Sequence, residues 1–257
     1  LFGEDTEEDE IEKDEITAIE QGFIFDKVSF GYVGTRKIIR EVSFSIPVGK
    51  TSAIVGPSGS GKSTLGKLIF GFYKPSSGKI LIDGRDSAEL KTNTVRKQLA
   101  VTPQDIVLFN DTLEYNIKYG SNQVSDNKLK CVIEQVDLTD LVSSLPDGLA
   151  TQVGERGLKL SGGEKQRVAI ARMLLKDCYI NILDEATSSL DSKTEKRIVE
   201  SLLEKKTSKT FIIISHRLSS ISIADNILVV ENGRLTQEGK HGSLVQENGL
   251  YKEMWEK

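Results

Sequence analysis

The spacing of apolar positions along the chain switches between the period of strands and the period of helices. A strand-like pattern with one slip begins at Phe23, and residues 42–48 alternate apolar and polar side chains without a break. Further short apolar strands are predicted at 52–55, 79–82, 179–183, 209–214 and 226–230. Helices are predicted at about 62–72, 127–136 and 192–206, and after Ser161. Apolar strands that alternate with helices predict an α/β fold with a mainly parallel core sheet.

Two regions depart from this alternation. The strands before residue 50 follow one another without a helix between them, and we expect them to form an N-terminal antiparallel β subdomain. Residues from about 105 to 175 are mainly helical in pattern, so we expect a helical subdomain there. The folded domain as a whole is expected to span residues 23–257.

Charge is concentrated at the start of the chain. Residues 1–20 hold ten acidic side chains and one lysine, a net charge of −9, whereas the whole chain carries −4, which leaves +5 for the remainder. Residues 1–22 are therefore predicted to form an acidic linker. The mildly basic remainder favours a phosphate-bearing ligand over duplex nucleic acid, and ordinary surface charge explains it equally well.

Two further features bear on the setting of the chain. It has no run of 18 apolar residues and begins at Leu1, so we expect a fragment whose linker follows a transmembrane domain that this sequence lacks. Cys131 and Cys178 lie 47 residues apart in the sequence, outside any CxxC or Cys/His cluster. This isolation favours a reduced compartment and two structural thiols over a disulfide.

Residues 56–63 match the phosphate-binding pattern G-x-x-x-x-G-K-[ST] at every position, between a predicted buried strand and a predicted helix. Glycines let backbone N–H groups approach phosphate oxygens, the Lys62 ammonium reaches the β- and γ-phosphates, and the Ser63 hydroxyl is a hard ligand for Mg²⁺. The expected ATP contacts of this loop are Gly56, Pro57, Ser58, Gly59, Ser60, Gly61, Lys62, Ser63 and Thr64. Several classes of nucleotide-binding enzyme use such a loop, so the class must come from other motifs.

Two adjacent acids follow a later apolar strand. Asp184 ends the run 180–184, where it can hold the Mg²⁺ shell through water, and Glu185 can act as general base or orient the attacking water. Adjacent acids often do no more than solvate a strand end. Here they follow a buried strand 122 residues after Lys62, which favours the functional interpretation.

A second glycine-rich helix start lies at residues 160–166. Ser161 has the side chain of an N-cap, and Glu164 completes a capping-box pattern three residues later. Gly162 and Gly163 leave backbone N–H groups accessible. The motif therefore predicts a second anion-binding helix end in addition to a capping box.

These three motifs together resemble those of ABC transporter nucleotide-binding domains. Residues 56–63 correspond to the Walker A motif, 180–185 to Walker B and 160–166 to the signature motif, within a similarity that covers about 23–257. The resemblance implies the P-loop NTPase fold of ABC ATPases and an ATP hydrolase that uses Mg²⁺. The implied catalytic residues are Glu185, His216, Lys62 and Gln104.

The same resemblance assigns the remaining site residues. Tyr32 corresponds to the aromatic residue that stacks on adenine, Gln104 to the Q-loop glutamine that responds to the transmembrane partner, and His216 to the switch histidine at the γ-phosphate. Asp191 belongs to the D-loop at 188–191. The ATP contacts implied for the signature are Ser161, Gly162, Gly163 and Gln166, and the implied Mg²⁺ ligands are Ser63, Gln104 and Asp184.

Residues 153–157 resemble a loop by which ABC exporters touch the intracellular loops of their membrane domain. The longer runs 103–112 and 153–172 look most like mitochondrial half-transporters of the iron–sulfur-cluster pathway and their bacterial relatives, homodimeric exporters linked to glutathione-type sulfur compounds. The resemblance implies a second copy bound head to tail around Mg-ATP, a transmembrane domain in the full-length chain, and a mitochondrial-type inner membrane with this domain on the matrix side. Peptide, lipid or multidrug export, at the cytoplasmic face of another membrane, is the alternative.

Three other classes of protein share some of these motifs. Nucleotide kinases and GTPases share the phosphate loop but not the signature, Q-loop and His216 together. ABC ATPases of DNA repair or translation usually carry an inserted coiled coil or tandem cassettes, and neither is visible, so we expect no nucleic-acid partner. A module that binds ATP without cleaving it is opposed by Glu185 and His216.

Asn181 departs from the family by placing an amide in an apolar strand, and we expect it to find a hydrogen bond.

Overall fold

The computed structural model describes residues 13–32, 36–121, 123–204, 209–218 and 221–256. In chain order its strands are β1 (Gly22–Phe30), β2 (Ile39–Pro47), β3 (Thr51–Val55), β4 (Ser77–Ile82), β5 (Arg85–Asp86), β6 (Leu99–Thr102), β7 (Asp111–Thr112), β8 (Gln152–Val153), β9 (Ile180–Asp184), β10 (Thr210–Ile214), β11 (Asn226–Glu231) and β12 (Arg234–Gly239). Six of them form a sheet of order β12-β11-β3-β10-β9-β6. All neighbouring strands in it are parallel except the pair β11 and β12, which is antiparallel. The predicted α/β fold with a mainly parallel core is confirmed.

The strands at the start of the chain form a separate antiparallel sheet of order β2-β1-β4-β5, as predicted. The slip in the apolar alternation of β1 corresponds to a bulge, because the pairing of β1 with both neighbours shifts register after Asp26. Lys27 lies in the bulge with φ 48°, and a Cβ on Gly78 opposite would lie 2.3 Å from its carbonyl oxygen. The close approach of the two backbones requires glycine at position 78.

The helices fill the remaining segments. They are α1 (Lys62–Ile69), α2 (Thr92–Lys97), α3 (Leu113–Lys118), α4 (Asp126–Gln135), α5 (Thr139–Ser144), α6 (Gly162–Lys176), α7 (Ser192–Glu204), α8 (His241–Leu244) and α9 (Leu250–Trp255). The helical region expected at about 105–175 contains α3 to α6 together with the small β7–β8 sheet. Helix α1 ends three residues before the predicted 72, and the last two residues of the predicted helix 192–206 lie outside the described residues.

Two apolar cores lie on opposite faces of the parallel sheet. Alternate residues of β9 and β10 divide between them, since Ile182 and Ile212 face the core shared with the antiparallel sheet, whereas Leu183 and Ile213 face the core shared with the helical region. The apolar residues of α1 belong to the first core and those of α6 to the second. Helices α1 and α6 therefore pack on opposite faces of one sheet.

The described part of the predicted linker, residues 13–21, lies against the domain. Asp14 pairs with the backbone beside Leu90, and the side chains of Ile16 and Ile19 are buried in the core shared with the antiparallel sheet. The Asp83 carboxylate accepts hydrogen bonds from the backbone N–H groups of residues 20–22 at 2.8–2.9 Å. Two isoleucines three residues apart anchor this segment although its composition is polar.

The structure also bears on the cysteines, on Asn181 and on the length of the helices. Cys131 and Cys178 are both free, which confirms the expected thiols. The Asn181 amide donates to the carbonyl of Cys178 at 3.3 Å as expected, and its buried oxygen has no partner among the described residues. Within the same residues, none of the helices is long and apolar enough to cross a membrane.

Candidate nucleotide site

The phosphate loop begins where β3 ends. All five residues of β3 are buried, and the chain leaves the strand through Gly56, whose φ of 149° is accessible to glycine. A Cβ on Gly56 would lie 2.0 Å from the carbonyl oxygen of Val230 in the neighbouring strand β11. Pro57, Ser58 and Gly59 then form an exposed turn before α1 begins at Lys62. The loop is thus held by contacts that exclude any side chain at position 56.

The Lys62 ammonium is folded over this loop. It donates to the carbonyl oxygens of Gly56 at 2.9 Å and Pro57 at 2.8 Å, and the residue is only 5% exposed. Burial lowers the pKa of Lys62, and the nearby carboxylates of Glu185 and Asp184 oppose that shift. A desolvated cation beside the N-terminus of α1 forms an electrostatic site for phosphate oxygens.

The remaining loop residues differ in exposure. The Ser60 Oγ is buried without a hydrogen-bond partner in the part of the chain that is described, and the Ser60 carbonyl accepts from the N–H of Gly233 at 3.0 Å. Thr64 is 7% exposed within the first turn of α1. The predicted contacts of Thr64 and Ser60 with ATP remain predictions, and Ser60 offers an unused polar atom for one.

Ser63 and Asp184 form the candidate metal pair. The Ser63 hydroxyl, in the first turn of α1, donates to Oδ1 of Asp184 at the end of β9 across 3.1 Å. Burial raises the pKa of Asp184, and the hydrogen bond from Ser63 partly opposes this. The described residues contain no group of three or more His, Cys, Asp or Glu side chains arranged to hold a metal. A hydroxyl and one carboxylate fit a Mg²⁺ ion that arrives with phosphate and water ligands of its own.

Glu185 lies where three parallel strands end. It has a positive φ of 48°, and its N–H donates to the carbonyl of Ile214 at the end of β10. Its Oε2 accepts from the Gln104 amide at 3.3 Å, and its Oε1 lies 3.5 Å from Nδ1 of His216. The side chain of Glu185 is 19% exposed and that of His216 is 50% exposed. The structure therefore brings together Gln104, Glu185 and His216, three of the predicted catalytic residues, beside Asp184.

The signature residues begin α6 with the predicted capping box. Ser161 Oγ accepts from the N–H of Glu164 at 3.3 Å, and Glu164 Oε2 accepts from the N–H of Ser161 at 2.7 Å. Ser161 and Gly162 are exposed. A Cβ on Gly163 would lie 3.2 Å from the Leu190 side chain, so the helix start packs closely on residues 188–190. The second helix end is formed and open to solvent.

Two residues expected to contact ATP make structural hydrogen bonds within this chain. Gln166 is 3% exposed, and its amide donates to Ser188 Oγ at 2.9 Å and accepts from the N–H of Ser189 at 2.8 Å. Asp191 Oδ1 accepts from the N–H groups of Lys193 and Thr194, so it caps α7, and the Thr194 bond lowers the pKa of Asp191. Gln166 and Asp191 thus hold the D-loop segment in place, and their contacts with ATP remain predictions.

Tyr32 belongs to an aromatic cluster beside α1. Its ring meets those of Phe30 and Tyr73 edge to face, with centroid separations of 5.1 and 5.2 Å. The Lys67 ammonium, on α1, lies 5.9 Å from the centroid of the Tyr32 ring. This half-buried ring has the packing that an adenine-stacking platform requires, and the stacking itself remains a prediction.

Sequence reasoning missed a buried ionic network behind the D-loop. Arg217 donates to Glu195 Oε2 at 2.7 Å and to the carbonyls of Leu190 and Ser188, and the other oxygen of Glu195 accepts from Thr187 at 2.8 Å. Glu195 is 1% exposed. Two sequence signals could have indicated this network. Arg217 directly follows His216, and Glu195 is a charged residue on the apolar side of α7.

Comparison with known proteins agrees with this geometry. The ABC transporter family matches residues 39–188. The iron-sulfur clusters transporter ATM1, mitochondrial, of Candida glabrata is 50% identical over 234 residues, covering 90% of this chain and 32% of that protein. The ATM1-type heavy metal exporter of Novosphingobium aromaticivorans is 49% identical over 231 residues, covering 90% and 38%, respectively. The chain thus spans about a third of the length of the curated relatives it matches.

The fold has a counterpart among solved structures as well. The structure of a bacterial Atm1-family ABC exporter with ATP bound aligns with a TM-score of 0.89 at 46% identity, covering 95% of this chain and 43% of that one. The family match covers more than half of the chain, and the site residues lie at the ends of the expected elements. The chain therefore belongs to the ABC transporter family.

Proposed function

We propose that this domain hydrolyses ATP in a site shared by two copies, with the phosphate loop of one copy facing the signature of the other. The proposal is carried by the two helix starts, because α1 and α6 pack on opposite faces of one sheet and each begins with an exposed glycine-containing turn. Both ends bind anions by their backbone N–H groups. A second copy turned head to tail supplies the end that a single copy does not, and the γ-phosphate bridges the two.

Glu185 is the general base in this proposal. Its carboxylate is fixed by the Gln104 amide and lies beside the His216 imidazole, directly after the candidate metal ligand Asp184. A carboxylate at that position accepts a proton from the water that attacks the γ-phosphorus. The half-exposed His216 is free to orient the γ-phosphate by a hydrogen bond.

The remaining groups of the phosphate loop stabilise charge. Lys62 is held over the loop and shielded from solvent, so its attraction for phosphate oxygens is weakly screened. Ser63 and Asp184, together with Gln104, would hold Mg²⁺, which neutralises charge on the β- and γ-phosphates when bound. The chain contributes positioning and electrostatics, the two main sources of rate acceleration in phosphoryl transfer.

A transmembrane domain of the full-length chain is the proposed mechanical partner. Beyond Gln104, the exposed rings of Phe109, Tyr115 and Tyr119 form an aromatic cluster with centroid separations of 4.3–6.0 Å. The exporter-type loop is tied to the same segment, because the N–H of Arg156 donates to Asn110 at 3.0 Å and β8 pairs with β7. Exposed aromatic rings beside the Q-loop are suited to receive an intracellular loop and to pass its movement to Gln104.

The proposed cargo is a glutathione- or sulfur-containing compound linked to iron–sulfur cluster assembly, exported from the matrix side of a mitochondrial-type inner membrane. The similarity to proteins described as mitochondrial iron-sulfur clusters transporters supports this assignment. Transport of glutathione conjugates into inside-out vesicles that contain the full-length chain tests it. Export of a hydrophobic drug or a peptide in place of these compounds would favour the alternative cargo classes.

Steady-state ATP hydrolysis by this domain, with Mg²⁺ and over a range of protein concentrations, tests the shared site. We expect the rate per molecule to rise with concentration and to level off once the dimer is saturated, because each site needs two chains. A rate per molecule that is constant over the whole range would mean that one chain hydrolyses ATP alone.

A further inference from the structure

A cavity of about 820 Å³ lies away from the nucleotide site. Helix α2, the turn after α3, the start of α4 and the C-terminal end of α6 surround it, next to the first residues of β6 and β9. At the other ends of these same two strands, Gln104 follows β6, Asp184 ends β9 and Glu185 comes directly after it. The cavity is therefore a separate feature of the domain.

Cationic side chains dominate the lining of this cavity, which includes Arg96, Lys97, Lys128 and Lys176 against one acid, Asp177. The Arg96 guanidinium donates to the carbonyl of Gly71 at 2.8 Å, and the Lys176 ammonium donates to the carbonyl of Leu99 at 2.6 Å. Carbonyl oxygens orient these groups without cancelling their charge. Two full positive charges are therefore fixed at the cavity wall.

The single acid does not balance the remaining cations. Asp177 accepts from Lys128 at 2.8 Å and from Lys209 at 2.6 Å, so one carboxylate serves two ammonium groups. These two hydrogen bonds lower the pKa of Asp177 to about 2, which keeps it ionised over the physiological range. Lys97 adds a further charge at the rim. The cavity as a whole is strongly electropositive.

Three neutral polar side chains, those of Asn93, Ser121 and Cys178, also line the cavity. The Ser121 hydroxyl oxygen is buried and lacks a hydrogen-bond partner within the described ranges. The Cys178 thiol is buried in the same lining, with its sulfur 3.5 Å from the carbonyl oxygen of Lys97. A buried hydroxyl without a partner costs free energy, and a ligand oxygen would satisfy it.

We propose that this cavity is a binding site for a small multivalent oxyanion, either a phosphate ester or a polycarboxylate. The excess of cations supplies the charge, the fixed Arg96 and Lys176 supply directed donors, and Ser121 supplies a further donor. An anion bound there joins α2 to the end of α6. These elements lead into β6 and β9, which carry the nucleotide-site residues at their far ends.

Calorimetric titration of the domain with inorganic pyrophosphate, and separately with citrate, tests the proposal. In a Lys62→Ala chain, whose phosphate loop is disabled, binding of at least one of them at one anion per chain is the expected result, and preference between them identifies phosphate or carboxylate as the ligand group. Lys97→Gln combined with Lys128→Gln should weaken this binding about tenfold or more, because two of the lining cations lose their charge. Lys130→Gln, on the same helix as Lys128 but outside the lining, is the matched control and should change affinity by less than about twofold.

Two further measurements locate the bound anion. Binding should survive Lys62→Ala, and loss of binding in that variant would place the anion in the phosphate loop and overturn the proposal. In a Cys131→Ser chain, the bound anion should slow alkylation of Cys178, a readout that needs no change to the cavity. The site would be contradicted if neither anion bound. It would also be contradicted by an unchanged affinity in the double variant, or by an unchanged alkylation rate with the anion bound.

Discussion

The Gln104 amide donates to Oε2 of Glu185 across 3.3 Å, and this bond joins the loop after β6 to the residue after β9. It turns the carboxylate of Glu185 toward the place where the carboxyl ends of three parallel strands meet. The bond also connects the only proposed base of the mechanism to the segment that carries the exposed aromatic cluster. A shift of that segment therefore acts first on the orientation of the base.

Glu185→Gln should lower kcat by about 10²–10⁴-fold, because the amide cannot take the proton of the attacking water. Its affinity for ATP should change little, since the proposed ground-state contacts lie on the phosphate loop. ATP turnover and equilibrium nucleotide binding measure the two effects separately. Glu200→Gln, which removes an exposed acid of α7, is the control and should hydrolyse ATP normally. Normal turnover by Glu185→Gln would remove Glu185 from the mechanism.

Asp184→Asn should stabilise the nucleotide-free domain and weaken its stabilisation by Mg-ATP. Burial raises the pKa of Asp184, so its contribution to folding is present below the unfolded pKa and is lost as pH rises through the higher folded value. The amide still accepts the Ser63 hydrogen bond without carrying a buried charge. Thermal unfolding of both chains at neutral pH measures this, and each kcal/mol corresponds to about 2–4 °C in a domain of this size.

The pH dependence of this difference in thermal stability is the control for the comparison. The difference in Tm between Asp184→Asn and the unaltered chain should shrink toward acid pH, where Asp184 becomes protonated. A difference that is independent of pH, or a variant that is less stable than the unaltered chain at neutral pH, would contradict the assignment of a costly buried carboxylate at this position.

Arg217→Ala should lower the free energy of unfolding by about 3–5 kcal/mol, because it leaves the buried Glu195 carboxylate without its cation. The uncharged Glu195→Gln change in the same chain should restore part of that loss. Urea unfolding of the unaltered, single and double variants gives the three values. A double variant no more stable than Arg217→Ala would show that the buried charge is not the cause.

Asn116→Ala should lower the free energy of unfolding by about 1–3 kcal/mol. Asn116 is fully buried, donates to the carbonyls of Phe109 and Thr112 at 3.0 Å, and accepts from Arg172 at 2.6 Å. Its loss leaves these groups unsatisfied at the base of the aromatic cluster. Chemical unfolding measures the change, and Asn127→Ala on the exposed side of α4 should stay within about 0.5 kcal/mol. Equal effects of the two variants would mean that Asn116 is not a structural anchor.

The sequence allowed the phosphate loop, the strand before Asp184 and the capped start of α6 to be predicted because their geometry is local. In each of them a few consecutive residues determine both the backbone path and the chemistry. Gly56 is one example, because its φ of 149° directly after β3 belongs to the path of the loop itself. The bulge in β1 was visible for the same reason, as a slip in the apolar alternation.

The remaining features depend on pairs far apart in the sequence. Gln166 meets Ser188 across 22 residues and Arg172 meets Asn116 across 56, and a single chain gives no sign of such pairings. The burial of Ile16 and Ile19 was concealed by acidic neighbours, because composition describes a segment and not its anchors. Asp191 was assigned by resemblance, whereas its structural role is set by the start of α7.

Mixing two inactive variants tests the shared site most directly. Lys62→Ala disables the phosphate loop, and Ser161→Asp keeps an N-cap side chain on α6 while placing a negative charge where the signature would meet phosphate. In a head-to-tail pair of the two variants, one site combines both defects and the other combines an intact loop with an intact signature.

Steady-state ATPase assays of each variant, of their mixture and of the neutral control Ser161→Asn complete the test. The account predicts that Lys62→Ala and Ser161→Asp are each inactive, that Ser161→Asn retains activity, and that the mixture recovers hydrolysis to a level that depends on the mixing ratio. A mixture as inactive as its two components, or a Ser161→Asp chain that hydrolyses ATP normally by itself, would contradict a site built from two copies.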